Sequence, residues 1–149
     1  MKTIILIDDN KDDLQFLREA ISCEDSNLQC LSFVFWEEAV KALLHGFIER
    51  PYMVFINLNM TGSTGLRCLQ TLRSSHQFDD LPLAVYAPQI TGMLAALLNE
   101  SGLVFSFDQP CTIRDWKIAV REVITSVQTP NFDLEVLIAN SKNQLFYNP

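Results

Sequence analysis

Four apolar runs in this 149-residue chain end on residues whose types decide what chemistry is open to it. Thr3–Ile7 leads to Asp8 and Asp9, Tyr52–Ile56 to Asn57, Leu83–Tyr86 to Ala87, and Val104–Phe107 to Gln109-Pro110. A carboxylate oxygen can attack an electrophile, but a carboxamide oxygen carries no net charge and is a poor nucleophile. Alanine donates no hydrogen bond, and glutamine offers no positive charge to a group being transferred. The two amides can still hydrogen-bond neutrally beside the two acids.

These residues must be brought together by the elements that carry them. Strand and helix signals alternate from the start. The strands are Thr3–Ile7, Leu28–Phe35, Tyr52–Ile56, Leu83–Tyr86 and Val104–Phe107. The helices are Lys11–Cys23, Glu37–His45, Gly65–Ser74, Gln89–Glu100 and Thr112–Val127. Asn10 with Asp13, and Thr112 with Asp115, have the spacing of helix caps. Gly46 and Gly102 stand where helices stop. Five strand–helix units imply an α/β fold, a five-stranded parallel sheet with right-handed crossovers and helices on both faces. In such a doubly wound, flavodoxin-like sheet the functional crevice lies beyond the carboxyl ends of the strands, where the four sets of residues meet.

Length and composition bound the rest. One domain is expected over residues 1–127, followed by an apolar tail, 128–149, in which Phe132, Leu134, Val136, Leu137, Ile138, Leu145, Phe146 and Tyr147 call for burial. A net charge of −7 and scattered basic residues argue against nucleic acid as a partner. No apolar run approaches the roughly 20 residues of a membrane span, and the N-terminal run is too short for a secretory signal, so a cytoplasmic protein is expected. Cys23, Cys30, Cys68 and Cys111 form no CxxC pair and do not cluster with His45 or His76, which gives zinc or iron–sulfur ligation no support.

The layout over about residues 2–127 resembles the receiver domain of bacterial two-component response regulators, especially the small stand-alone kind. The carrying motifs are Ile4-Ile5-Leu6-Ile7-Asp8-Asp9-Asn10, Asn57-Leu58-Asn59-Met60-Thr61 with Gly65, Leu81-Pro82-Leu83-Ala84-Val85, and Gly102 with Gln109-Pro110. The resemblance implies a magnesium ion held by Asp8, Asp9 and the Asn59 carbonyl. It implies an aspartate phosphoacceptor where this chain has Asn57, a hydroxyl residue where it has Ala87, and a lysine where it has Gln109. The aromatic that moves during switching aligns with Ser106, and the proline after the acceptor loop's methionine is Thr61.

Three of the five reactive positions thus lack the chemistry that the resemblance calls for. Any magnesium site is expected to be weak, with one carboxylate fewer, or Asp8 and Asp9 are simply an acidic pair at a strand end. Counting only these two acids, the cleft keeps the family's formal charge of −2. Asp12 and Asp13 are read as first-turn carboxylates favoured by the helix dipole. Thr61, Ser63 and Thr64 are read as turn residues rather than alternative acceptors.

The expected function is that of a pseudo-receiver, a non-enzymatic module of the two-component phosphorelay class that acts by protein–protein contact. Its partner would be a histidine kinase, another signalling protein or a second copy. The rival reading is a magnesium-dependent phosphoacceptor that uses a different residue. The fourth helix is apolar all round, so Met93, Leu94 and Leu97, with Trp36, are the expected partner-binding residues. Either the chain's own tail or a partner would cover that helix.

Overall fold

A computed structural model of the chain describes residues 2–60 and 65–128. Its strands are β1 (Lys2–Ile7), β2 (Leu28–Phe33), β3 (Met53–Asn57), β4 (Leu83–Ala87) and β5 (Val104–Asp108). Its helices are α1 (Lys11–Glu24), α2 (Trp36–Leu44), α3 (Gly65–Arg73), α4 (Gly92–Asn99) and α5 (Ile113–Gln128), with a single 3-10 turn at His76–Phe78 that the sequence pattern did not suggest. All strand pairs are parallel, in the order β2-β1-β3-β4-β5. The expected five-stranded doubly wound sheet is the observed one. The tail from 129 onward lies outside the described residues, as do Thr61, Ser63 and Thr64.

Side-chain alternation along the strands builds two cores. Ile4 and Leu6 of β1, Met53 and Phe55 of β3, Ala84 and Tyr86 of β4, and Phe105 and Phe107 of β5 face α1 and α5. Ile5, Ile7, Val54, Ile56, Leu83, Val85 and Val104 face α2, α3 and α4. Central strands covered on both sides read as unbroken apolar runs, and every residue of β3 and β4 is buried. The period of two continues past the strand ends. It sends Asp8, Asn57 and Tyr86 toward the α1/α5 layer, and Ala87 and Ser106 toward the other.

The helix ends follow local chemistry. Asn10 Oδ1 accepts from the backbone N–H groups of Asp12 and Asp13 at 2.9 and 3.2 Å. The return bond expected from Asp13 is instead supplied by Asp8, whose Oδ1 accepts from Asn10 N at 2.9 Å. Gly46, at φ +71°, closes α2 with Phe47 N donating to Ala42 O. At the edge where the strands begin, Arg73 donates to the carbonyls of Phe78, Asp79, Leu81, Ser101 and Leu103, tying the α3–β4 and α4–β5 connections together.

One expectation about a surface residue needs correction. Trp36 is 8 % exposed and belongs to the core under α2, so it is no surface contact; its neighbour Phe35 is 61 % exposed. None of the described residues covers the outer face of α4, and the tail named as one cover lies outside them. Ala95 and Leu98 point into the core, whereas Met93 is 86 % and Leu97 42 % exposed.

Candidate functional site at the carboxyl ends of the strands

The switch point of the sheet lies between β1 and β3, because the chain leaves β1 for β2 on one side and returns to β3 on the other. Asp8 ends β1 there and is fully buried. Three donors hold it. Asn10 N and Asn57 Nδ2, at 2.9 and 3.0 Å, donate to Oδ1, and the Tyr86 hydroxyl donates to Oδ2 at 2.6 Å. Donors of this kind shorten and strengthen when the acceptor is ionised, which is how a buried carboxylate is tolerated.

Asn57 has no freedom left. Its Nδ2 donates to Asp8, and its Oδ1 accepts from Asn59 N at 2.8 Å in a local turn. The two neighbours fix the amide's orientation, because a carboxylate can only accept and a backbone N–H can only donate. The oxygen at position 57 is therefore turned away from Asp8.

Gln109 completes a second half of the site. Its backbone N donates to the carbonyl of Ala87 at 2.7 Å, and its Nε2 donates to Asp13 Oδ2 at 2.8 Å. Asp13 is buried on the inner face of α1, one turn before Leu17. Desolvation, the Asp8 charge and a hydrogen bond with Asp8 push its carboxyl up to about 6 from 3.8, against a smaller lowering by Gln109. The buried acid pair is thus Asp8 and Asp13, not Asp8 and Asp9; Asp9 is exposed at the rim. Both amides serve carboxylates rather than each other.

The site continues inward as aromatic packing. Tyr86 stacks on Phe107 with centroids 5.5 Å apart and meets the Trp116 ring edge-on at 5.1 Å. Burial and the Asp8 charge push the Tyr86 hydroxyl well above its ordinary range, so it remains a proton donor. Ala87 and Ser106 stand on the opposite side of the sheet. Ala87 is core, and the fully buried Ser106 Oγ has no hydrogen-bond partner among the described residues.

The divalent cation that the resemblance implies is tested by this donor set. Hard cations take oxygen ligands. Here residue 57 presents an N–H to Asp8, both donors on Asp8 Oδ1 are already in place, and Oδ2 is engaged by Tyr86. Among the described residues no group of three His, Cys, Asp or Glu side chains is placed to hold a metal ion. As arranged, Asp8, Asp9 and Asn59 do not fit a divalent cation.

Sequence reasoning brought Asp8, Asn57 and Gln109 to one place and missed Asp13 and Tyr86. Both were within reach of periodicity: Asp13 lies four before Leu17 on a helix, and Tyr86 shares the parity of Ala84 on a strand.

This arrangement is that of a receiver fold. The chain is similar to the phosphorylated cyanobacterial phytochrome response regulator RcpA, at 19% identity and a TM-score of 0.72, over 86% of this chain and 96% of that one. It is similar to the Mn2+-bound response regulator Rcp1, at 16% identity and a TM-score of 0.73, over 89% and 99%. The chemotaxis response regulator CheY4 of Vibrio cholerae matches at 15% identity and a TM-score of 0.66, over 83% and 98%. No family model matches the chain, and no curated protein matches it. No helix among the described residues is long and apolar enough to cross a membrane.

Proposed function

We propose that this chain is a two-component-type signalling module that acts by protein–protein contact, without taking a phosphoryl group at position 57. The observation that carries this reading is the double engagement of the Asn57 amide by Asp8 and Asn59. Attack on phosphorus needs an anionic oxygen with a free lone pair. Position 57 offers a neutral oxygen already accepting a backbone N–H. Phosphoryl transfer also leans on charge stabilisation. Gln109, which replaces the expected cation, spends its N–H on Asp13.

Among the similar structures one is phosphorylated and another holds Mn2+. In the present pocket the corresponding side chains are engaged in internal hydrogen bonds instead. What remains to transmit is surface. The open apolar face of α4, with Met93, Leu94 and Leu97, supports docking of a kinase, another signalling protein or a second copy.

The test is intact-mass analysis after incubation with Mg2+ and acetyl phosphate, with tryptophan fluorescence followed under Mg2+ and beryllofluoride. The expected result is unchanged mass and unchanged emission. An acid-labile adduct mapped to any residue would replace this reading with that of a phosphoacceptor working through another side chain.

A further inference from the structure

The outer face of α4 presents an apolar groove of about 480 Å3, lined by Thr91, Met93, Leu94, Ala96, Leu97 and Glu100. A side chain as large as Met93 at 86 % exposure, beside Leu97 at 42 %, is costly to leave in water at roughly 25 cal/mol per Å2 of apolar surface. The groove is lined from α4 and its two ends, and α4 packs against β5, which is the last strand of the sheet and has no neighbour on its outer side among the described residues.

The chain itself brings a matching segment to this edge. Helices α4 and α5 both run back against the direction of the parallel strands, so Asn99 and Gln128 end at the same edge of the sheet. Residues 129–149 leave from there. Fully extended they could span roughly 70 Å, against about 12 Å for the eight residues of α4 and about 10 Å for one helix diameter. Reach is therefore ample for a path round the β5 edge. The first stretch after Pro130 alternates apolar with acidic residues, Phe132, Asp133, Leu134, Glu135 and Val136, and then turns fully apolar at Leu137 and Ile138. Period-two alternation suits a segment with one face on an apolar surface and the other in water.

We propose that residues 132–138 cover the α4 groove of their own chain and occlude the surface assigned above to partners. This rests on that surface being the interaction face. A partner must then displace the segment, which makes the tail an internal competitor, and the affinity of the bare face is reduced by the fraction of chains in which it is covered.

The test uses the full chain. Methionine oxidation by dilute peroxide is followed by peptide mass spectrometry, with buried Met53 and Met60 as internal reporters of folding. Met93 should oxidise at least about tenfold more slowly than free methionine, as for a contact open less than a tenth of the time. Val136→Asp with Ile138→Asp should restore fast oxidation at Met93 alone. The protection should persist across about a hundredfold dilution, because an intramolecular contact does not depend on concentration. Fast oxidation of Met93 in the unaltered chain would overturn the proposal. Protection lost on dilution would also overturn it, assigning the groove to a second copy. If the double variant exposes Met53 as well, the wild-type rate and its dilution series still decide. Neither result bears on phosphorylation, so the silent-pocket reading stands or falls separately.

Discussion

The hydroxyl of Tyr86 donates to Asp8 Oδ2 at 2.6 Å, across a fully buried contact between the ends of β4 and β1. Asp8 is thereby held from three directions: by its own strand end through Asn10, by β3 through Asn57, and by β4 through Tyr86. A pocket that binds and releases ligands keeps some polar capacity unspent. This one has turned its acid into a structural node that ties adjacent strands together.

Replacing Tyr86 with Phe should therefore act on stability. The ring contacts with Phe107 and Trp116 survive, but a buried carboxylate oxygen loses its donor, at a cost of about 1–3 kcal/mol. Urea unfolding followed by tryptophan emission should show a lower midpoint with an unchanged slope. An unaltered midpoint would mean that water replaces the hydroxyl and that the node is less dry than its burial indicates.

Asn57→Asp tests the amide directly. The new carboxylate would face Asp8 Oδ1 across the 3.0 Å now bridged by an N–H, so two like charges would meet where a donor had been. One of the pair must hold a proton at a raised pKa or the fold must loosen. The folded state then keeps a proton that the unfolded state releases, so the penalty is full at pH 8 and fades as pH falls toward the unfolded carboxyl value. Thermal unfolding should give a deficit at pH 8 of about 1–3 kcal/mol that shrinks at pH 5. With Ala87 and Gln109 unchanged, this variant should still fail to accumulate an acid-labile adduct.

Asp13 sets a second pH dependence. Its folded carboxyl lies at about 6, above 3.8, chiefly through desolvation and then through the Asp8 charge. Between those values the folded chain binds a proton that the unfolded chain has lost. Its contribution to stability therefore falls as pH rises from 4 to 6 and is flat above. Asp13→Asn removes the like charge and retains an oxygen for Gln109. It should raise stability at pH 7 by on the order of 1 kcal/mol, after allowance for partial solvent screening, and flatten the pH 4–6 slope. The check is the difference between the two proteins' unfolding midpoints across that range, in which the other carboxylates cancel.

The alternation of strand and helix, and most element ends, were readable because local chemistry set them. Asn10 caps α1, Gly46 closes α2, and Thr112 Oγ1 accepts from Asp115 N at 3.1 Å. Asp8, Asn57 and Gln109 were readable as neighbours because parallel strands align their carboxyl ends. Which partner each amide takes was not, since that depends on angles between α1 and the sheet that no spacing encodes. Asp13 looked like any first-turn acid until α1 was seen to press it against Asp8. Trp36 misled for a related reason: a large aromatic at a turn reads as exposed, but it is the first residue of α2 and rolls into the core. The carbonyls gathered by Arg73 belong to two connections far apart in sequence, and nothing local announces them.

Gly65 offers the sharpest steric test of how the pocket is braced. A Cβ built there would stand 2.1 Å from the carbonyl oxygen of Asn57 and 2.7 Å from Leu58 Cα. Both obstacles are backbone, so no side-chain rotation relieves them. Gly65→Ala must push the start of α3 away from the end of β3, at a cost of roughly 1–3 kcal/mol, the usual range for forced overpacking. The displacement falls on the residue whose Oδ1 holds Asn59 N and whose Nδ2 holds Asp8. Amide exchange at Asn59 should accelerate well beyond what the global loss of stability predicts, while amides of β2, remote from the contact, should follow the global value. Equal acceleration throughout the sheet would show that α3 carries no special role in fixing Asn57 and that the amide is held by Asp8 alone.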